Sequence, residues 1–398
     1  QLLTGATGSL GSHIAAQLSL LPNVHKIYCL IRATSPIDAY TRLHASLQHR
    51  RLYSNLSPSQ KSKLIALPSP TLNHPTLSLP SAIYTTLLTE TTDIIHSAWS
   101  VNFNLHLTSL AQENLPGLSN LLTLALTSHR PTPPSFNFCS SVSAVVNTPE
   151  SISPIPESLP ASLSAAQSMG YAQSKLVAEH ITANAAAASS SPTFPARILR
   201  IGQVIGDTTH GIWNPSEAIP LIFQSATTVG ALPKLDESPR WLPVDVVARA
   251  VVDISLADHN PSHPPAPSNL PEPTPNPQTR EDPEKQLGNV YNIVNPTPFH
   301  WTTDLLPQLR AAGLDFEALE PKDWVARLRS VDDPVRNPPV KLAEFFREKY
   351  AGEKGFRSLV YETGRARAVV GALGEVEGLE EGLVGRMVGW FKGVGWKA

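Results

Sequence analysis

The sequence TGATGSLG at residues 4–11 follows the short apolar run Leu2–Leu3 and precedes a helical pattern. A buried strand that turns abruptly into a helix needs glycine at the turn, because positive φ and close backbone approach cost little only without a Cβ. The N-terminus of that helix then offers N–H groups and a positive dipole end to a phosphate. Gly5, Gly8 and Gly11 therefore predict a dinucleotide-binding turn, spaced G-x-x-G-x-x-G rather than G-x-G-x-x-G.

A second stretch, Lys26–Arg32, indicates which dinucleotide the turn would bind. It has the apolar pattern of a buried strand and ends in Arg32, 21 residues after Gly11. In this architecture an acidic residue at that point holds a ribose 2′-hydroxyl, whereas an arginine accommodates a 2′-phosphate. A solvated cation at a strand end is the plainer interpretation of an isolated arginine. After a glycine turn at this distance we favour the phosphate, hence NADPH over NADH, with Arg42 as a second charge.

The third stretch is YAQSK at residues 171–175. Tyr171 and Lys175 are spaced i, i+4 and share one helix face, where the ammonium is expected to lower the pKa of the phenol. Such a phenol can give and take a proton at neutral pH. Upstream, residues 136–143 predict a strand that ends in hydroxyl side chains, one of which would share a carbonyl oxygen with Tyr171. The pair alone is a common chance match, but its register after the turn and the strand predicts a catalytic site.

Together these stretches resemble the extended short-chain dehydrogenase/reductase family. More narrowly, the chain is similar to the terminal thioester reductase domains of fungal non-ribosomal-peptide-synthetase-like and polyketide megasynthases, and to the related aminoadipate reductases. One departure is LPSP at 67–70, which stands where the family usually carries an aspartate beside the adenine. That departure concerns the adenine contact and leaves the hydride chemistry untouched. The narrower resemblance rests on CLIR 29–32, IIHSAW 94–99, GYAQSK 170–175, LRIGQ 199–203, GALP 230–233, WLPVD 241–245, YNIVNP 291–296 and DPVRNP 333–338.

The resemblance implies NADPH as the cofactor and three catalytic residues. Tyr171 would donate a hydrogen bond or proton to the developing oxyanion, Ser141 would share that charge, and Lys175 would keep Tyr171 acidic and hold the nicotinamide ribose. Strand alternation places Ser141 and Ser143 on one face, so the choice of Ser141 follows the family register. The implied cofactor-binding residues are Thr4, Gly5, Thr7, Gly8, Ser9, Leu10, Gly11, Arg32, Arg42, Ser97, Ala98, Tyr171, Lys175, Ile201 and Gln203.

The resemblance also implies a reaction and a partner. An upstream acyl or peptidyl carrier domain would deliver a phosphopantetheine thioester, and hydride transfer from NADPH would release an aldehyde, or an alcohol after a second transfer. Three alternatives stay open: a Dieckmann-type release domain without redox chemistry, a free-standing extended reductase of small carbonyl or sugar-nucleotide substrates, and a non-catalytic cofactor-sensing module. The glycine turn, Arg32 and the Tyr171/Lys175 pair together favour the reductase.

Composition excludes other classes of function. The 398 residues carry a net charge of −2 with 16% charged residues, which gives no basis for binding nucleic acid or a membrane surface. No apolar run approaches the roughly 20 residues that span a bilayer. Because the chain opens on Gln1 inside a predicted strand, we expect a domain cut from a longer polypeptide, cytoplasmic and monomeric when excised. Cys29 and Cys139 indicate buried thiols in a reducing compartment, and the histidines show no ligand spacing, so no metal is predicted.

Strand and helix patterns alternate to about residue 256, which indicates an α/β fold with a Rossmann-like, doubly wound parallel sheet. Further on, short amphipathic helices predict a smaller, mainly helical C-terminal substrate subdomain. Its aromatic residues Trp213, Phe223, Trp301 and Trp324 would line a pocket or fill a core, of which the core is the more common role. The predicted strands are Leu2–Thr4, Lys26–Arg32, Ser62–Leu67, Thr92–Ala98, Ser135–Ser141, Ala196–Ile201 and Val290–Val294, and the clearest predicted helices are Gln112–Thr127 and Gly170–Ala188.

The same patterns predict domain boundaries. Residues 1–210 form an NADP-binding domain, to which 243–257 and 288–295 return. The substrate-binding subdomain comprises residues 211–242 and 296–398. A proline-dense stretch at 258–287 predicts a mobile surface insertion, because proline blocks both helix and central strand.

Overall fold

The computed structural model shows the α/β architecture that the sequence predicts, and its described residues fall into two compact units. Most of the proline-dense stretch lies outside the described residues, so its prediction as a surface insertion stays a prediction. The first unit comprises residues 1–202, 245–294 and 360–374, and the second comprises residues 203–244, 295–359 and 375–398. The described residues are 1–189, 194–259, 289–351, 358–376 and 378–397.

Strand and helix alternate along the first half of the chain, as a doubly wound sheet requires. The elements are β1 (Leu2–Thr4), α1 (Ser9–Leu20), β2 (Ile27–Ile31), α2 (Pro36–His49), α3 (Pro58–Lys61), β3 (Leu64–Pro68), α4 (Ser81–Glu90), β4 (Asp93–His96), α5 (Leu107–Leu126), β5 (Ser135–Ser141), α6 (Gly170–Ala188) and β6 (Ala196–Ile201).

Short helices and very short strands dominate the second half of the chain. The elements there are β7 (Val204–Ile205), α7 (Ala218–Thr228), β8 (Ala231–Pro233), β9 (Leu242–Pro243), α8 (Val244–Ser255), β10 (Asn289–Ile293), α9 (Leu306–Ala311), β11 (Glu317–Leu319), α10 (Pro321–Arg329), α11 (Ala343–Tyr350), α12 (Gly364–Val369) and α13 (Leu383–Trp390).

The first unit is built on a seven-stranded parallel sheet in the order β10-β6-β5-β4-β1-β2-β3. In the central strand β1, Thr4 is in register with Leu30 of β2 on one side and with His96 of β4 on the other. The strand order reverses between β1 and β4, and doubly wound sheets bind ligands at the carboxyl ends of the strands at such a switch point. The glycine turn that follows β1 therefore opens at the expected edge of the sheet.

The central strands are apolar because both faces of the sheet are covered. Every residue of β1 and β2 is buried, which is the pattern of strands inside a parallel sheet. Cys29 in β2 and Cys139 in β5 are free, buried thiols, as predicted. Burial raises the pKa of each thiol to about 12, so both behave as neutral, unreactive groups.

Residues 360–374 differ from the predicted domain boundary, because they belong to the first unit and not with the rest of 296–398. A buried carboxylate explains the placement. Glu157 accepts the backbone N–H groups of Arg365 at 2.6 Å and Ala366 at 3.1 Å, and so holds the first turn of α12. These are contacts between residues some 200 positions apart, which no local pattern signals.

The second unit packs around aromatic side chains. Trp213, Phe223, Trp301 and Trp324 all lie in one buried cluster, which confirms the core as their role. Their polar atoms are satisfied inside it: the indole N–H of Trp301 donates to the carbonyl of Pro233 at 2.9 Å. The second unit also contains two short pairs of parallel strands, β7 with β9 and β8 with β11, which the sequence did not predict.

Trp324→Ala should lower the free energy of unfolding by about 3–5 kcal/mol, because truncating a large core side chain leaves a cavity. Trp324 is fully buried, and its indole N–H donates to the Ser225 hydroxyl at 3.0 Å. Urea unfolding followed by far-UV circular dichroism measures the change. Val335→Ala is the control, since Val335 is 89% exposed and its truncation should change the free energy by about 0.5 kcal/mol or less. Equal effects of the two variants would contradict the assignment of Trp324 to the core.

Candidate active site

The turn after β1 is shaped by the absence of side chains. Gly5 has φ +77°, and its carbonyl accepts the N–H of Gly8 at 2.8 Å, which closes the turn before α1. A Cβ on Gly11 would lie 2.1 Å from the Gly5 oxygen, and a Cβ on Gly5 would lie 2.8 Å from the nitrogen of Ala98. No side chain fits at either position. Glycine therefore allows the backbone of residues 5–11 to approach itself and Ala98 more closely than any other residue would allow.

A hydrogen-bond network at the ends of β1 and β4 fixes this approach. The Thr4 hydroxyl accepts the N–H of Ala98 at 3.1 Å and also hydrogen-bonds Nδ1 of His96 at 2.8 Å. Because Ala98 bonds a side chain, β4 ends at His96, two residues earlier than predicted, and Ser97–Ala98 run beside the turn. Burial, and to a smaller extent the charge of Lys175, lowers the pKa of His96 to about 3, so the imidazole is neutral.

A second network braces the turn from α2, and sequence reasoning missed it. The Ser46 hydroxyl donates to the Thr7 carbonyl at 2.8 Å, and the Arg50 guanidinium donates to the Ser46 hydroxyl at 2.8 Å. The i, i+4 spacing of Ser46 and Arg50 does not predict these contacts from the sequence, because many such pairs occur on helices.

The turn leaves backbone N–H groups available at the start of α1. The first N–H groups of α1, from Ser9, Leu10 and Gly11, have no acceptor within the helix, and the N-cap Gly8 provides no side-chain cap. A helix N-terminus of this kind binds anions through its N–H groups and its dipole. Backbone atoms of residues 5–6 and 97–98 occupy the space that a Cβ on Gly5 or Gly11 would need, so the compact turn that presents these N–H groups requires glycine at both positions.

Two arginines lie together where β2 ends. Arg32 is exposed and directly follows Ile31, the last residue of the strand. The Arg42 guanidinium, from α2, donates to the Arg32 carbonyl at 2.5 Å. The contact brings the second predicted charge to the same strand end as the first, in the position where a 2′-phosphate is held in this architecture.

Tyr171 lies in the first turn of α6, which begins against the loop that follows β4. A Cβ on Gly170 would lie 2.3 Å from the carbonyl oxygen of Leu105, so the helix start is packed tightly there. The Phe103 ring meets the Tyr171 ring edge-on, with centroids 5.2 Å apart. Burial raises the pKa of Tyr171 to about 12, and a hydrogen-bonding interaction with Ser141 only partly opposes the shift. The predicted lowering of the phenol pKa by Lys175 is therefore wrong in this structure, because desolvation outweighs the charge.

Lys175 is a buried ammonium one helical turn further along α6. Its Nζ donates to the Cys139 carbonyl at 2.6 Å and lies 4.4 Å from the Trp99 ring centroid and 4.8 Å from that of Phe138. Burial lowers the pKa of Lys175 to about 7, while nearby Cys139 and Glu179 act in the opposite direction. The side chain is thus held by a backbone carbonyl and two aromatic faces.

Ser141 is the last residue of β5 and is half-buried. Its hydroxyl oxygen accepts the N–H of Ser143 at 3.2 Å and the Ser143 hydroxyl at 3.0 Å, and it interacts with the Tyr171 phenol. Ser141, Tyr171 and Lys175 therefore stand within one packed group of β5 and α6. A protonated phenol beside a hydroxyl can donate hydrogen bonds to a carbonyl oxygen that gains negative charge.

The two remaining predicted residues end up in different units. Ile201 is buried at the end of β6, in register with Ser141. Gln203 is exposed and belongs to the second unit, where its side-chain amide donates to the carbonyl of Val204 at 2.9 Å. Phe103, Trp99 and the Cys139 carbonyl, which all contact the Tyr171/Lys175 pair, were not predicted as site residues. Among the described residues no cluster of histidine, cysteine or acidic side chains is arranged to bind a metal, and no helix has the length and apolarity to cross a membrane.

Comparison with known sequences places these features in a family. A family model described as Male sterility protein, an NAD-binding family, matches residues 3–251. The chain is 30% identical to the citrinin polyketide synthase of Monascus ruber over 99% of its length, and 31% identical to an adenylate-forming reductase of Aspergillus terreus over 97%. It spans only 14% and 34% of these two relatives.

A solved structure extends the comparison to three dimensions. The terminal R domain from the myxalamid PKS-NRPS biosynthetic pathway superimposes with a TM-score of 0.78 at 25% identity. The match covers 99% of this chain and 90% of that domain, so both units take part in it.

Gly11→Ala should weaken NADPH binding by about 10-fold or more, because the new Cβ would lie 2.1 Å from the Gly5 oxygen and force the turn open. Fluorescence titration of the purified chain with NADPH measures the dissociation constant. Gly385→Ala in α13 is the matched control, since a Cβ there has no neighbour within 4 Å. Unchanged affinity in a folded Gly11→Ala variant would remove the turn from the cofactor site.

Proposed function

Because the chain belongs to the NAD-binding reductase family described as Male sterility protein, we propose that it releases a carrier-bound acyl thioester as an aldehyde, using NADPH. One observation carries the proposal: a protonated Tyr171 phenol beside the Ser141 hydroxyl, in the same unit whose sheet carries the glycine turn. The unit would thus combine hydrogen-bond donors for a carbonyl oxygen with a binding site for a dinucleotide. The similarity to a polyketide synthase and to an adenylate-forming reductase supports a substrate carried on a phosphopantetheine arm.

Residues of the first unit suit NADPH in particular. The N–H groups of Ser9, Leu10 and Gly11 would hold the pyrophosphate, Arg32 and Arg42 the 2′-phosphate, and Lys175 the nicotinamide ribose. Bound there, NADPH would supply the hydride that the carbonyl carbon accepts.

Tyr171 and Ser141 would act on the oxygen of the same carbonyl. As the carbon gains the hydride, Tyr171 gives its phenolic proton to the oxygen, and a hemithioacetal forms with Ser141 donating a hydrogen bond. Collapse of the hemithioacetal breaks the C–S bond: the oxygen's proton is released, the thiolate leaves and is protonated, and the aldehyde is free. The raised pKa of Tyr171 favours this direction, because the residue starts as a proton donor.

The proposed activity can be tested with the purified chain, NADPH and an acyl-phosphopantetheine thioester. We expect absorbance at the nicotinamide band to fall and an aldehyde to form in equal amount, with alcohol as the product if a second hydride is transferred. Flat absorbance while the acyl group still leaves the thiol would indicate a condensing release domain and would overturn the proposal.

Tyr171→Phe should lower kcat by about 10²–10³-fold, since it removes one donor aimed at the oxyanion. The Kd for NADPH should stay within about twofold of the wild-type value, because the ring and its contact with Phe103 are kept. Steady-state kinetics and a binding titration on the same preparation measure both quantities. A large loss of NADPH affinity with little loss of kcat would assign Tyr171 a structural role.

Arg32→Asp should reduce the preference for NADPH over NADH by about 10–10²-fold, the value of a charge-assisted hydrogen bond of roughly 1.5–3 kcal/mol. The ratio of kcat/KM for the two cofactors is the readout. Lys322→Asp makes the same change in net charge at an exposed position of α10 and should leave the ratio unchanged. If Arg32→Asp behaves like this control, Arg32 lies outside the cofactor site.

A further inference from the structure

We propose that Glu179 is a positioning residue for the reduction: its buried carboxylate ties the end of β5 to α6 and keeps Lys175 in place as an ammonium. The inference rests on the proposed function. It concerns a group that neither the family motif of Tyr171 and Lys175 nor the cofactor turn includes.

The contacts of Glu179 span three elements. Glu179 follows Lys175 by one turn of α6, on the helix face that the two share. Its Oε1 accepts the Ser140 hydroxyl at 2.5 Å. Arg200 of β6 donates from Nε to both carboxylate oxygens at 3.1 Å and from Nη2 to Oε2 at 2.7 Å. Both charged side chains are completely buried.

Ser140 connects this ion pair to the catalytic group. It lies between Cys139, whose carbonyl accepts the Lys175 ammonium at 2.6 Å, and Ser141, whose hydroxyl interacts with Tyr171. Holding the Ser140 side chain therefore fixes the two neighbouring peptides that present the acceptor for Lys175 and the Ser141 hydroxyl. A shift of β5 along α6 would misplace both at once.

Stability alone does not account for the pair. Removing two charges from water costs several kcal/mol for each ion, and well-packed apolar residues of similar volume often stabilise a core equally or better. A role in placing charge and backbone next to Lys175 gives the pair a function that apolar residues could not supply.

The charge of Glu179 also acts on Lys175 directly. The titratable groups that face Lys175 are Tyr171 and Glu179 on its own helix, Cys139 on β5 and His96 on β4. Burial lowers the pKa of His96 to about 3 and raises the pKa values of Tyr171 and Cys139 to about 12, whereas Glu179 is the carboxylate of the buried ion pair with Arg200. Cys139 and, to a smaller extent, Glu179 raise the pKa of Lys175 against the larger lowering by burial.

The pH dependence of kcat/KM follows from the direction in which Glu179 shifts the pKa of Lys175. The pKa of Lys175 is about 7, so kcat/KM of the wild type should fall as pH rises through that value and the ammonium is lost. In Glu179→Gln the carboxylate charge is gone and the pKa of Lys175 drops further. The descending limb should then move to lower pH by about 1 unit.

Two further variants separate charge from geometry. Ser140→Ala should lower kcat without moving the limb, because it cuts the tie to β5 and leaves the carboxylate charged. Asp258→Asn is the matched control: it converts a carboxylate to an amide in another ion pair of β6, with Arg197 at 2.6 Å, and should change neither kcat nor the limb.

A readout without substrate distinguishes failure of this inference from failure of the proposed function. Titration of ε-¹³C-lysine signals in the free protein, assigned with Lys175→Arg, should give a lower midpoint in Glu179→Gln than in wild type. If Glu179→Gln does not fold, the double variant Glu179→Gln/Arg200→Met, which leaves no unpaired buried charge, should still show a midpoint below that of wild type. Superimposable lysine titrations of wild type and variant would overturn the inference. A wild-type chain that leaves NADPH unconsumed would overturn the proposed function only.

Discussion

The structure depends on one close backbone contact, where the turn after β1 meets its own helix and the end of β4. A Cβ on Gly11 would lie 2.1 Å from the Gly5 oxygen and a Cβ on Gly5 would lie 2.8 Å from the nitrogen of Ala98, so neither position accommodates a side chain. The Thr4 hydroxyl then bonds both Ala98 and His96, so β1 and β4 are joined at the switch point of the sheet. The compact turn at this edge of the sheet therefore requires glycine at both positions.

Burial rather than pairwise charge sets the protonation states around Tyr171 and Lys175. Desolvation raises the pKa of Tyr171 to about 12 and lowers those of Lys175 and His96 to about 7 and about 3. Each shift favours the neutral form, as expected where water is excluded. The ammonium of Lys175 consequently depends on a backbone carbonyl, aromatic faces and the carboxylate of Glu179. The site therefore differs from the sequence-based prediction, in which a free Lys175 cation lowers the pKa of the Tyr171 phenol.

The sequence predicts much of this fold because its signals are local. β5 at Ser135–Ser141 and α6 at Gly170–Ala188 match their predicted bounds, since apolar runs and helical spacing lie within single segments. The β7–β9 and β8–β11 pairs were missed because strands of two or three residues carry no periodicity. Residues 360–374 belong to the first compact unit, which no local pattern signals, because their partner Glu157 is about 200 positions away. The direction of the Tyr171 shift was wrong because i, i+4 spacing reports a neighbour but not the water excluded from both.

The most direct measurement traces the hydride. A single turnover with NADPH deuterated at C4 of the nicotinamide and an acyl-phosphopantetheine thioester gives a product for mass spectrometry. We expect deuterium on the former carbonyl carbon of the aldehyde, together with a slower turnover than with unlabelled NADPH. A released product free of deuterium, formed at the same rate with either cofactor, would contradict a reductase site at Tyr171.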